Sequence, residues 1–169
     1  SLLKLYPSAF KISWRKSMEI FPDEDCFHLG VKALIRNREG KILLLQGQSA
    51  SSRTFWDIPG GRLKRGETML DALQRELEEE VGLKGISVLI PLNMHLTNVR
   101  IPSHGNDVGL ILSIYRCDLD YDFTPKLSYE HIHFDWFNVV DAVQLLKPRY
   151  PASIISDVIA LEPGEHCVI

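Results

Sequence analysis

The feature that most constrains the fold is residues 67–80, ETMLDALQRELEEE, where six acids and one base give a local charge of −5. Leu70, Leu73, Leu77 and Val81 recur at helical spacing and define one apolar stripe. Thr68 is placed to cap such a helix, with Asp71 three residues on to complete a capping box. Gly82 follows as the residue that ends it in the left-handed conformation. The spacing therefore predicts a helix from about Thr68 to Val81. On that helix Glu76, Glu79 and Glu80 share a second face, about 100° away from the leucine stripe. One element can thus pack on a sheet and still present carboxylates to a cleft.

As a helix alone this is a poor design. Like charges at i, i+4 cost ~0.2–0.5 kcal/mol per pair. Acids in the last turn oppose the helix dipole by ~0.3–1 kcal/mol each. A local rule broken this consistently points to a compensating partner, for which a hard divalent cation with oxygen ligands is the natural choice. The competing reading is a solvated acidic face.

The rest of the chain carries 18 bases and 16 acids, so the net charge of −3 conceals a near-neutral body. That balance argues against a nucleic-acid polymer as partner. The length of 169 residues suits about one domain. No apolar run approaches the ~18–20 residues of a membrane span, so no membrane partner is expected, and the N-terminal SLLKLYPSAFK has no secretory pattern. Cys26, Cys117 and Cys167 are odd in number and in no metal-like spacing, which reads as reduced thiols and a cytoplasmic location. Residues 1–27 read as an N-terminal extension, either packed on the domain or mediating a homodimer. Residues 28–169 read as a single domain.

Within it, residues 28–36 and 41–46 read as two strands joined by the polar NREG turn, and the continuous KILLL run predicts a strand covered on both faces. Residues 48–53 read as a loop, and FWDIPGGRLKRGE as further loop rich in turn residues. Strands are expected over 86–97 and 108–117, with RIPSHGND between them, and over the latter half of LSYEHIHFDWF. Helices follow at 138–146 and 151–161. The fold class is α/β, a sheet sandwiched by helices.

Gly61, Glu67, Arg75, Glu76, Leu77, Glu79, Glu80, Gly82 and Leu83 match the pattern G-x5-E-x7-R-E-U-x-E-E-x-G-U, with U aliphatic, at every defined position. At average residue frequencies a given start matches by chance about once in 10⁹. The segment resembles the Nudix box, and WDIPGG before it and the Trp136 segment after it are similar to the same family, so the resemblance extends over 28–161. It implies a Nudix-fold α/β/α sandwich with a mixed sheet, and hydrolysis of a nucleoside diphosphate linked to another moiety. It also implies Mg²⁺ (with Mn²⁺ as a substitute) on Glu76, Glu79, Glu80 and the carbonyl of Gly60. Arg75 would orient Glu76, and Glu67 would buttress the loop–helix junction. The general base falls to Glu76 first and Glu130 second.

The chemistry agrees with that assignment: attack on a diphosphate needs cations that neutralise phosphate charge and acidify water. No Ser or Cys nucleophile constellation competes. Arg62, Lys64 and Arg65 lie between Gly61 and Glu67, flank the expected metal site and are candidates for phosphate contact; Arg53 and Arg100 are weaker ones. Trp56 suits either base stacking or the core, whereas Phe134 and Trp136 suit the core. His131 and His133 alternate on an expected strand and would share a face, as surface or substrate contacts.

Substrate markers outside the box are missing. There is no SQPWPFP-like array, no coenzyme-A-type signature, no Pro at 98–99, no nearby Tyr of the dinucleoside-polyphosphate type, and Gln46-Gly47-Gln48 stands where an Arg commonly closes the second strand. A nucleoside triphosphate or nucleotide sugar remains the expected small-molecule substrate. The alternatives are an isomerase or glycosylase accessory domain of related fold, or a non-catalytic nucleotide-binding or regulatory module. The intact box carboxylates count against both.

Overall fold

A computed structural model describes residues 24–86, 88–103 and 106–162. Most of the expected N-terminal extension and Cys167 lie outside the described residues. Six strands form one mixed sheet: β1 (Phe27–Arg36), β2 (Ile42–Gln48), β3 (Thr54–Asp57), β4 (Ile90–Ser103), β5 (Asn106–Asp118) and β6 (His131–Phe137). Its order is β3-β2-β1-β5-β4, with β6 also pairing β2. The β1–β5 pair is parallel and every other pair antiparallel. Helix α1 (Met69–Val81) covers one face; α2 (Val139–Leu146) and α3 (Ala152–Ile159) cover the other.

Alternation in the strands builds both layers of core. Val31, Ala33, Ile35, Leu43 and Leu45 pack with Ala72, Leu73, Leu77 and Val81 of α1. Leu34, Ile42 and Leu44 point the other way, into a cluster with Val139, Val143, Leu146, Ile154 and Val158. The KILLL run is therefore buried on both faces, as its composition requires. Among the described residues no helix is long and apolar enough to cross a membrane.

Helix α1 begins and ends as its sequence dictates. Thr68 and Asp71 exchange both hydrogen bonds of a capping box, and Gly82 closes the helix with φ 73°. One member of the expected stripe departs: Leu70, in the first turn, is exposed, and Ala72 is buried instead. The chain also forms a short strand over Thr54–Asp57 where turn-rich composition predicts loop. Its four residues pair with β2, so tertiary pairing overrides the local signal. Strands β4 and β5 run into RIPSHGND from both sides, because that segment continues their antiparallel ladder as far as the Ser103–Asn106 pair.

What positions the site is a fork. Strands β1 and β2 are in register at Arg36 and Ile42; further along that edge of β2, from Leu45 to Gln48, β3 takes over as its partner, while β6 runs along the opposite edge. The freed edge of β1 is satisfied by the turn before α1. Val31 N–H donates to the Gly61 carbonyl at 2.8 Å, Ala33 N–H to that of Pro59 at 2.9 Å, and Leu63 N–H to that of Leu29 at 3.0 Å. The turn is thereby pinned against the sheet.

Candidate active site

Two glycines let the pinned turn meet α1. Gly60 has φ 128°, and a Cβ there would run into the Val31 carbonyl, so the turn lies flat on β1 only because the side chain is missing. A Cβ on Gly61 would overlap the Glu76 carboxylate, which occupies that space. The turn and the acidic face of α1 are therefore in direct contact.

Arg75 organises that face. Its Nε donates to Glu67 Oε1 at 2.6 Å, one terminal nitrogen to Glu67 Oε2 at 3.0 Å, and the other to Glu76 Oε1 at 2.7 Å and Glu79 Oε2 at 3.1 Å. It also reaches the Arg62 carbonyl at 3.3 Å. Glu67 accepts the Lys64 amide as well, at 2.7 Å, which ties the loop to the helix. The Arg75 guanidinium, with that amide, holds the Glu67 carboxyl down at about 2. A rigid guanidinium fork suits this work, since it bonds several carboxylates at once in fixed directions.

Glu80 sits deeper, with its side chain only 10% exposed. Its Oε2 accepts the Gly60 amide at 2.7 Å. Burial pushes the Glu80 carboxyl up to about 7, against the opposing pull of the Lys32 charge and the Gly60 N–H. Lys32 reaches the same turn from β1. Its ammonium donates to the carbonyls of Ile58 at 2.7 Å and Gly60 at 2.8 Å, and to Asp57 Oδ1 at 3.2 Å. Asp57 is buried and bound in addition by the Tyr150 hydroxyl, the Ile58 amide at 2.8 Å and Arg149 at 3.1 Å. Burial works to raise its pKa, but Lys32, Arg149 and Tyr150 outweigh burial and hold it below the usual carboxylate range.

The expected residues divide into those the fold gathers and those it does not. Glu76 and Glu80 converge on the Gly60-Gly61 turn. Glu79 is held by Arg75 but is half exposed at 53%, with Lys64 at 3.8 Å. Glu130 lies exposed just before β6, its amide on Ser128 Oγ at 3.4 Å. Arg62 and Arg65 are exposed on the loop beside the turn. Arg53 is folded onto its own loop through Ser51 Oγ at 3.3 Å. Arg100 is engaged by Asp25 and Asp107 at the outer part of the β4–β5 pair. Trp56 packs edge-on against Phe137, with ring centres 4.8 Å apart, on the cluster beneath α2 and α3. It also lines an open depression of about 400 Å³ with Phe55, Gln144 and Arg149.

The two histidines do not act as a pair. They pair with the adjacent residues Gly47 and Gln46 of β2, so Ile132 between them is an extra, unpaired residue of β6 and the alternation is lost. His131 turns inward, its Nε2 3.8 Å from Glu80 Oε1 and its Nδ1 buried without a hydrogen-bond partner among the described residues. His133 lies 6.0 Å from the Trp56 ring. Lys32, Asp57, Arg149 and Tyr150 are additions that motif reading passed over. A lysine inside the apolar run VKALI was the available signal, since such a side chain is seldom buried unless paired.

The donor set suits a hard cation. It consists of carboxylate and carbonyl oxygens, and the most buried carboxylate of this set, Glu80, has no closer ionic partner among the described residues than a histidine at 3.8 Å. Among the described residues no three acidic, histidine or cysteine side chains form a closed metal cage. Water and substrate phosphate would complete the shell, the usual habit of Mg²⁺.

A family model described as "NUDIX domain" matches residues 27–157. The chain is 32% identical over 127 residues to the CTP pyrophosphohydrolase of Escherichia coli strain K12, a match covering 73% of this chain and 84% of that protein. It is 43% identical over 77 residues to the RNA pyrophosphohydrolase of Coxiella burnetii, which covers 45% of this chain and only 33% of the relative. Among solved structures, the solution structure of the E. coli ORF135 protein aligns with a TM-score of 0.65 and 26% identity, over 85% of this chain and 96% of that one.

Proposed function

Because the chain belongs to the Nudix family, its domain spanning residues 27–157, we propose that it is a divalent-metal-dependent pyrophosphohydrolase. It cleaves a nucleoside diphosphate linked to a further moiety, with a nucleoside triphosphate or nucleotide sugar as the substrate class. The observation that carries this reading is the burial of Glu76 and Glu80 against the Gly60-Gly61 turn, with Arg75 fixing Glu76. The E. coli relative, a CTP pyrophosphohydrolase that this chain matches over most of both lengths, favours a nucleoside triphosphate.

Glu76, Glu80, Glu79 and the Gly60 carbonyl would hold the cation, Mg²⁺ or in its place Mn²⁺. When bound, a divalent ion supplies charge neutralisation of the diphosphate and a more acidic water. The chain's own residues do the rest. Arg75 keeps the Glu76 carboxylate aimed at the turn, and Glu76 takes the proton of the attacking water, with Glu130 the second choice for that base. Arg62 and Arg65, exposed on the loop beside the turn, meet the substrate phosphates, with Lys64 next to them.

Release of phosphate or pyrophosphate from a panel of nucleoside triphosphates, nucleotide sugars, ADP-ribose and dinucleoside polyphosphates tests the proposal. Turnover with Mg²⁺, abolished by EDTA, is the expected result. Binding without turnover of any member would replace the enzyme by a nucleotide-binding module. Charge reversal at Arg62 or Arg65 should raise KM with little effect on kcat.

A further inference from the structure

Lys32 occupies an unusual place for a cation. Its side chain is 13% exposed, it emerges from the apolar run VKALI of strand β1, and all three of its protons are used: on Asp57, Ile58 and Gly60. The Gly60 carbonyl it binds is the backbone oxygen expected to face the metal. The Gly60 amide, on the other side of the same residue, holds Glu80. A positive charge therefore sits directly behind the proposed cation site, on one of its oxygen donors.

Two consequences follow from electrostatics. An ammonium hydrogen-bonded to a carbonyl draws electron density from that oxygen and repels a dication approaching its other lone pair. The negative charge of Asp57 offsets the repulsion, because the two groups form a nearly buried pair at 3.2 Å, each side chain little more than a tenth exposed. Arg149 on Oδ2, and the Tyr150 hydroxyl on the Oδ1 that Lys32 also binds, fix Asp57, so its charge cannot swing away. In a poorly hydrated setting such fixed charges act at full reach, whereas exposed ones are screened.

We infer that the Lys32–Asp57 pair is a built-in charge governor of the cation site: Lys32 weakens, and Asp57 restores, the hold of the Gly60–Glu80 corner on a divalent ion. Lys32 is on this account a positioning residue that acts through Gly60 and touches neither substrate nor water. The inference rests on the metal-site reading above and deepens it. It differs from a purely structural role in one decisive respect. If the pair only braced the turn, loss of either partner would loosen the turn and weaken metal binding. A governor gives the two partners opposite signs.

The test is Mn²⁺ titration of the full chain at fixed pH and ionic strength, followed by the electron paramagnetic resonance signal of free Mn²⁺, with melting curves for every variant. Lys32→Met should tighten Mn²⁺ binding by about tenfold, Asp57→Asn should weaken it by a similar factor, and the double variant should return near the parent value. Lys32→Gln, which keeps a donor for the Gly60 carbonyl, serves the same purpose if the methionine variant does not fold. Weakening by both single changes, or no shift with either, overturns the inference. Glu80→Gln run in parallel keeps the two readings apart. Its loss of Mn²⁺ binding with an unresponsive Lys32 variant sinks the governor alone, and its unchanged binding sinks the metal site and the governor together.

Discussion

Gly60 donates its amide to Glu80 Oε2 at 2.7 Å, joining a turn residue to a helix residue 20 positions later. The contact exists because β1 and β2 pair only at Arg36 and Ile42, and the turn is drawn against the earlier part of β1 that this leaves open. The position of this buried carboxylate is thus set by how the sheet forks.

The two glycines of the turn should fail differently. Gly60→Ala combines a left-handed φ with overlap onto backbone, and neither can be relieved by a side-chain move; it should cost at least about 2 kcal/mol of stability. Gly61→Ala overlaps only the flexible end of Glu76. It should melt near the parent temperature while kcat falls by about tenfold or more, as expected for a displaced catalytic group. Denaturant titration beside steady-state kinetics separates the two outcomes.

Arg75→Lys keeps the charge but cannot bond three carboxylates from one planar group. Glu76 and Glu79 then lose their common anchor. The expected result is a kcat at least about tenfold lower with a smaller change in KM, read from initial rates over a substrate series.

Glu67 gives a pH signature. Its carboxyl ordinarily titrates at 4.5, and the Arg75 guanidinium with the Lys64 amide depresses it to about 2 in the fold. A group lowered in this way stabilises the native state fully above its unfolded pKa, and the contribution is lost as pH falls toward the folded one. Between about pH 4.5 and 2 the metal-free protein should lose stability, and Glu67→Gln should flatten that part of the profile. Melting temperatures across the interval, compared between the two proteins, provide the check.

The choice of general base is also open to a direct comparison. Glu76 is 15% exposed and held by Arg75, whereas Glu130 stands in solvent before β6. Glu76→Gln should lower kcat at least about a hundredfold, and Glu130→Gln less than about tenfold. The reverse order, with both variants folded, would move the base to Glu130.

Much of this site was legible because it is local. Capping, the leucine stripe and the carboxylate face of α1 are all set by spacing along one helix, and Arg75 meets Glu67, Glu76 and Glu79 within 13 residues of chain. The partners that come from elsewhere were not legible. Asp57 draws on Lys32 from β1 and on Arg149 and Tyr150 from the connection between α2 and α3, and no spacing rule links those segments. His131 was separated from His133 by a bulge at Ile132, which shows only once β6 is laid against β2. Leu70 misled because periodicity gives the face of a helix, not how far the sheet beneath it extends.

The most direct test of the central claim is nucleoside triphosphate hydrolysis by the parent chain and by Glu80→Gln, side by side, with Mg²⁺ and with EDTA. Turnover by the parent should need the metal, and the folded variant should lose at least about a hundredfold in rate. Turnover that survives EDTA, or a folded Glu80→Gln variant as active as the parent, would contradict the claim.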